Sequence, residues 1–160
     1  MKKFELTAEF VTNIFGKKLF RIKALVAFCD VEKGELGGFI EKEDNLSHSG
    51  DAWVYGDAQV YGNAQVSGDA WVSGDAWVSG NADYAVVTGF GHCFRATTFF
   101  RCKDKILRVQ CGCFYGDLAK FREIVKKTHG DSKYAKEYLA IADLMELHFS
   151  DEEENQEADK

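Results

Sequence analysis

Residues 50–83 read GDAWVY GDAQVY GNAQVS GDAWVS GDAWVS GNAD, one six-residue phrase written almost six times. A fixed period governs architecture before any local preference does. Alanine recurs at 52, 58, 64, 70, 76 and 82, and valine at 54, 60, 66, 72 and 78. In an extended chain residues two apart share a face, so each Ala-x-Val turns Ala and Val inward and x outward. Glycine followed by Asp or Asn then supplies the chain reversal. A period of six is no multiple of 3.6, and Val, Trp and Tyr favour strands over helix. Strands of about three residues pair too weakly to stand as a meander. Winding solves this, because each strand then pairs with its copy one coil along, about 4.8 Å away.

The spacing of Val54 with Ala58 and of Val60 with Ala64 resembles the hexapeptide repeat of left-handed β-helices. In that family an aliphatic residue and a small residue four places on point into a triangular prism, and three hexapeptides complete a coil. The resemblance implies a stacking period of 18. Residues 51–64 match 69–82 at eleven of fourteen positions, and match ten at an offset of six. Stacking at 18 places Trp53 under Trp71, Gln59 under Trp77 and Gln65 under Asp83. It aligns Asp51 with Asp69, Asp57 with Asp75 and Asn63 with Asn81. Further along, DVEKGELGGFI, the repeat itself and GCFYGDLAKFREIVKKTHGD are similar to hexapeptide-repeat accessory proteins of phages and prophages, a group with no settled function to carry over.

The flanks divide the chain. Residues 1–49 read as an N-terminal β cap containing the hairpin FVTNIF-GKK-LFRIKAL, and 50–84 as the solenoid. In 85–150, YAVVTGFG, FRATTFFRC and ILRVQCGCF read as strands. Two helices follow, one capped by Asp117 and stopped by Gly130, the other capped by Asp131 or Ser132. Residues 151–160 form an acidic tail of disordered type. The predicted class is mainly β with C-terminal helices: a short, left-handed hexapeptide-repeat β-solenoid between two caps.

Charge follows the same division. Residues 1–49 hold eight bases and eight acids, 50–84 hold five Asp and no base, 85–150 hold eleven bases and seven acids, and the tail holds six acids and one Lys, which returns the net −6. No run approaches the roughly 18 apolar residues that cross a bilayer, and MKKFELTAEF lacks the apolar core of a secretory signal, so a cytoplasmic place without membrane contact is expected. The five cysteines then read as thiols.

Hexapeptide-repeat acyltransferases use a histidine base at a subunit cleft, yet His48, His92, His129 and His148 all lie outside the repeat. Zinc from Cys93, Cys102, Cys111, Cys113 and His92 lacks paired Cys-x-x-Cys spacing, and a strand through Leu107, Val109, Cys111 and Cys113 turns them to one buried face. Arg95, Arg101, Lys103, Lys105 and Arg108, interleaved with Phe94, Phe99 and Phe100, form the one nucleic-acid candidate, and the overall acidity argues against it. No catalytic residue, metal or cofactor is assigned.

What remains is the outward set. Trp53, Trp71 and Trp77, with Tyr55 and Tyr61, occupy positions that alternation turns outside, beside Asp51, Asp57, Asp69 and Asp75. Exposed Trp and Tyr dominate interface hot spots, unless the protein's own caps cover them. The expected function is a non-enzymatic accessory protein. It binds a protein partner, host or self, and inhibits a host defence or nucleic-acid-handling factor. The alternatives are a self-assembling homo-oligomeric module and an acyltransferase.

Overall fold

The computed structural model describes residues 2–91, 96–112 and 114–150. A hairpin opens the chain, β1 (Phe4–Thr12) against β2 (Lys18–Ala24), and β2 pairs antiparallel with β3 (Leu36–Ile40). The repeat supplies four short strands: β4 (Trp53–Val54), β5 (Gln59–Val60), β6 (Trp71–Val72) and β7 (Trp77–Val78). They pair in parallel at an offset of 18, Trp53 with Trp71 and Gln59 with Trp77. Two of the three expected columns are thereby present.

The ladder reaches upstream of residue 50. Phe39 pairs with Gln59 and Ile40 with Val60, and Leu46 bridges Val66, all in parallel and all at an offset of 20. Residues 38–46 are therefore a repeat level without the repeat's letters. Gly38 takes the place of Ala58, because a Cβ there would lie 2.7 Å from Val54 Cγ1 and 2.8 Å from the Ala58 carbonyl oxygen. The two extra residues fall between Leu46 and Ala52. There Lys3 enters, its buried ammonium donating to the carbonyls of Ala52 and, at 3.4 Å, Gly50.

Ile40, Leu46, Val54, Val60, Val66, Val72 and Val78 are buried, as are Ala52, Ala58, Ala64, Ala70 and Ala76. At about 1.5–3 kcal/mol for each valine, this interior is the main stabilising term. The corners before Ala58, Ala64, Ala70 and Ala76 are turns closed by the alanine N–H donating to the carbonyl three residues back, as Ala58 does to Tyr55 and Ala76 to Ser73 at 3.3 Å. The glycine inside each turn has positive φ, +65° at Gly56 and +63° at Gly74, where any other residue is strained. The sixth unit departs from the pattern. Asn81–Asp83 form a single 3-10 turn and Ala82 is exposed, so Gln65 does not stack on Asp83. Asn81 Oδ1 instead accepts the Gln65 N–H at 2.8 Å, and the expected asparagine ladder gives way to this contact.

The C-terminal part is an antiparallel sheet in the order β11 (Phe114–Asp117), β10 (Leu107–Cys111), β9 (Thr97–Arg101), β8 (Tyr84–Val87), followed by α1 (Leu118–His129) and α2 (Lys133–His148). Strand β9 is buried on both faces. Phe100 joins the solenoid core, whereas Phe99 packs with Val109, Phe121, Val125, Tyr138 and Met145 under the helices. The sheet thus seals the end of the repeat: Thr98 Oγ1 accepts from the Trp71 N–H at 3.0 Å, and Cys102 bridges Ala76. The molecule is mainly β with two C-terminal helices. Asp117 and Ser132 cap the helices as predicted, each accepting from the backbone N–H three residues on. Strand β11 was not foreseen. The tail 151–160 lies outside the described residues, as do His92, Cys93, Phe94, Arg95 and Cys113.

Candidate functional site

The outward positions of the repeat do not share one environment. Trp53 is fully buried, which corrects its expected exposure. Phe28 meets its indole edge-on at 5.2 Å, and Gly37 lies so close that a Cβ there would fall 2.7 Å from the ring. Tyr61 is 7 % exposed, with Phe15 at 6.3 Å, and burial followed by the field of Asp83 raises its phenol pKa. The N-terminal hairpin and the loop after it therefore cover two of the five aromatics by themselves. Sequence alternation sees which side of a strand a residue faces and is blind to what returns to cover that side.

Trp71 is half-buried, and its Nε1–H donates to the Asp51 carbonyl at 2.9 Å. Tyr55 stacks beside it, ring centres 6.4 Å apart and planes within 25°, and is 48 % exposed. Trp77 is half-buried under the Lys103 ammonium, 6.0 Å from the ring centre. Asp51, Asp57, Asp69 and Asp75 are all exposed. Only Asp57 has a described ion-pair partner, Arg21 at 4.0 Å, and Arg21 itself is drawn more closely to Glu9 at 2.6 Å.

The 18-residue register brings a subset of these together. On the side carrying β4 and β6, Asp51 and Asp69 precede the strands, Tyr55 and Trp71 lie along them, and Asp57 and Asp75 follow at the next corner. The result is a short aromatic strip between two columns of carboxylates. Ser73 also lies along this side, buried and donating to Gln110 Oε1 at 2.8 Å, which ties the strip to β10.

The other candidates dissolve or fall elsewhere. Phe99 and Phe100 are buried, Arg101 pairs with Asp83 at 3.3 Å, and Arg108 is held bidentately by Asp104 at 2.8 Å. That pairing pulls the Asp104 carboxyl down to about 2 and the Arg108 pKa up. Two arginines of the nucleic-acid hairpin read from sequence are thus paired from within, and its Phe99 and Phe100 rings are buried. Cys102 is buried and its thiol pKa raised by that burial. Cys111 accepts a hydrogen bond from Thr97 Oγ1 at 3.2 Å. Among the described residues no group of His, Cys, Asp and Glu is arranged to hold a metal ion.

His48 borders an open cleft of about 400 Å³ lined with Glu43, Asp44, Leu46, Ser47, Gln65 and Ser67. Its Nδ1 accepts the Lys3 backbone N–H at 3.1 Å and its Nε2 donates to Glu43 at 2.8 Å, while Phe4 stacks on the ring at 4.2 Å. The His48 hydrogen bond is the largest influence lowering the Glu43 pKa. With both nitrogens engaged, this imidazole fastens the N-terminal strand to the first repeat level.

Among the described residues no helix is long and apolar enough to cross a membrane. A family described as YdcK Beta solenoid repeat matches residues 58–74 and 64–80, two windows displaced by the six-residue period. No curated protein matches the chain. The matched windows carry a β-solenoid repeat, and they fall where Gln59 and Trp77 stack.

Proposed function

We propose that this protein is a non-enzymatic binding module whose carboxylate-edged aromatic strip holds a basic protein partner. The observation that carries this reading is Tyr55, 48 % exposed against Trp71 between Asp51 with Asp69 and Asp57 with Asp75. Arginine and lysine side chains of a partner would find carboxylates at both margins and a ring face between them. A rigid strip loses little conformational entropy when it binds, and a left-handed, closed three-sided coil would supply that rigidity. The hexapeptide spacing of Ala and Val supports such a coil.

A phage or prophage accessory role in the host cytoplasm is consistent with this chemistry. Host defence and nucleic-acid-handling factors bear basic surfaces, and columns of aspartate can stand in for a phosphate backbone. The test is a triple variant, Tyr55→Ser with Asp57→Asn and Asp75→Asn, whose thermal midpoint stays near that of the wild type. A basic protein retained from bacterial extract by the wild type, eluted by salt and lost with the variant, supports the reading. Equal retention by both proteins overturns it.

A further inference from the structure

Four lysines that the sequence reading passed over stand around the α1–α2 turn. Helix α1 ends on Lys126, Lys127 and His129, and α2 begins with Lys133 and Lys136. None of these four lysines forms an ion pair with a described residue, whereas Arg122 on the same helices is held by Asp143 and Glu146. Cations suit the C-terminal end of α1, whose dipole is negative there, but not the N-terminal end of α2, whose first turn carries no acidic residue. Helix stability therefore does not account for Lys133 and Lys136.

Aromatic groups gather at the same end. His129 stacks on Tyr138 at 5.8 Å with planes 27° apart, and meets Tyr134 edge-on at 6.2 Å. The Tyr138 hydroxyl donates to the Phe90 carbonyl at 3.3 Å, and Glu137 accepts the Gly91 N–H at 3.1 Å. These two bonds hold Phe90, 41 % exposed, against α2 within about one turn of Lys133. The result is four exposed lysines around the α1–α2 turn, with Asp131 the acid inside that turn and Glu137 engaged by the Gly91 N–H, and an exposed ring on the segment bonded to α2, on a part of the molecule with a net charge of opposite sign to the repeat.

We propose that the α1–α2 turn and Phe90 form a binding site for single-stranded nucleic acid. The four ammonium groups contact phosphates, and Phe90 stacks on a base without regard to sequence. Single strands fit better than duplex because the ring needs an unpaired base face. Phosphate contacts in this number imply a log–log salt slope of about −3, at roughly 0.7 per contact. This site is separate from the aspartate strip and does not depend on it.

Fluorescence anisotropy with a labelled oligothymidylate of about 12 nucleotides tests the proposal across roughly 50–200 mM salt. Binding with that slope is expected, together with its loss in the quadruple variant Lys126→Gln, Lys127→Gln, Lys133→Gln, Lys136→Gln. Phe90→Leu, which keeps an apolar side chain at the position, should weaken it by about tenfold. The aspartate-strip variant should bind as the wild type does. Absence of wild-type binding, unchanged binding by the quadruple variant, or duplex binding as tight as single-strand binding would each overturn the assignment. So would sedimentation showing that the lysines serve only to join two copies of the chain.

Discussion

Trp53 and Tyr55 are two residues apart and hold opposite positions in the energetics. Trp53 has no accessible surface and fills the space between Phe28, Gly37 and the repeat. Trp53→Ala should cost about 3–5 kcal/mol in urea denaturation. Tyr55→Ser, at an exposed site, should stay within about 0.5 kcal/mol. Lys3 carries a pH dependence. Desolvation lowers its pKa from 10.5 to about 8 despite the opposing field of Asp51, so the fold disfavours the charged amine. Below pH 8 that penalty is fully present. Between pH 8 and 10.5 the unfolded chain binds more protons, so this residue's contribution to stability rises with pH, by on the order of 2–3 kcal/mol. Comparison of wild type with Lys3→Met at pH 7 and pH 10 should show the wild type gaining on the variant; a constant difference would refute the assignment.

At the scale of elements, β9 joins two cores. Phe99→Ala and Phe100→Ala should each cost about 3–5 kcal/mol, but the consequences separate. Hydrogen exchange should quicken in α1 and α2 for the first and around residues 71–78 for the second. The β2–β3 sheet has a comparable pinch point at Gly37, where a Cβ would lie 2.6 Å from the Val54 carbonyl oxygen; Gly37→Ala should destabilise by about 1–3 kcal/mol. Elements whose signals are local could be read from the chain. Asp117, Gly130 and Ser132 mark the helix ends because caps act within four residues, and the Ala-x-Val period marks the strands. What could not be read depends on distant segments: the level at residues 38–46, which lacks the repeat's letters, and the covering of Trp53 and Tyr61. The candidate strip was therefore visible as a list of nine residues, but not as the subset that stays open to solvent.

Across the whole molecule, charge and stacking both follow the order of the chain. The N-terminal hairpin, the repeat levels and the β9 sheet follow in sequence order, and the aspartate columns lie on the repeat whereas the lysine turn lies between the C-terminal helices. Register ties them together. Because Trp53 pairs with Trp71 and Gln59 with Trp77, an insertion of 18 residues in the repeat restores every pairing above it. An insertion of six preserves the motif but breaks the 18-residue pairing, so that a different strand meets Thr98 and Cys102. Inserting a second copy of residues 55–72 after Val72 should therefore leave a cooperative thermal transition. Adding only residues 67–72 should lower the midpoint by several degrees or abolish the transition. Near-identical units invite gain and loss of copies during replication, and this rule sorts the outcomes. Each 18-residue insertion adds one pairing level of about 4.8 Å, so the number of units would set the spacing between the N-terminal hairpin and the β9 sheet.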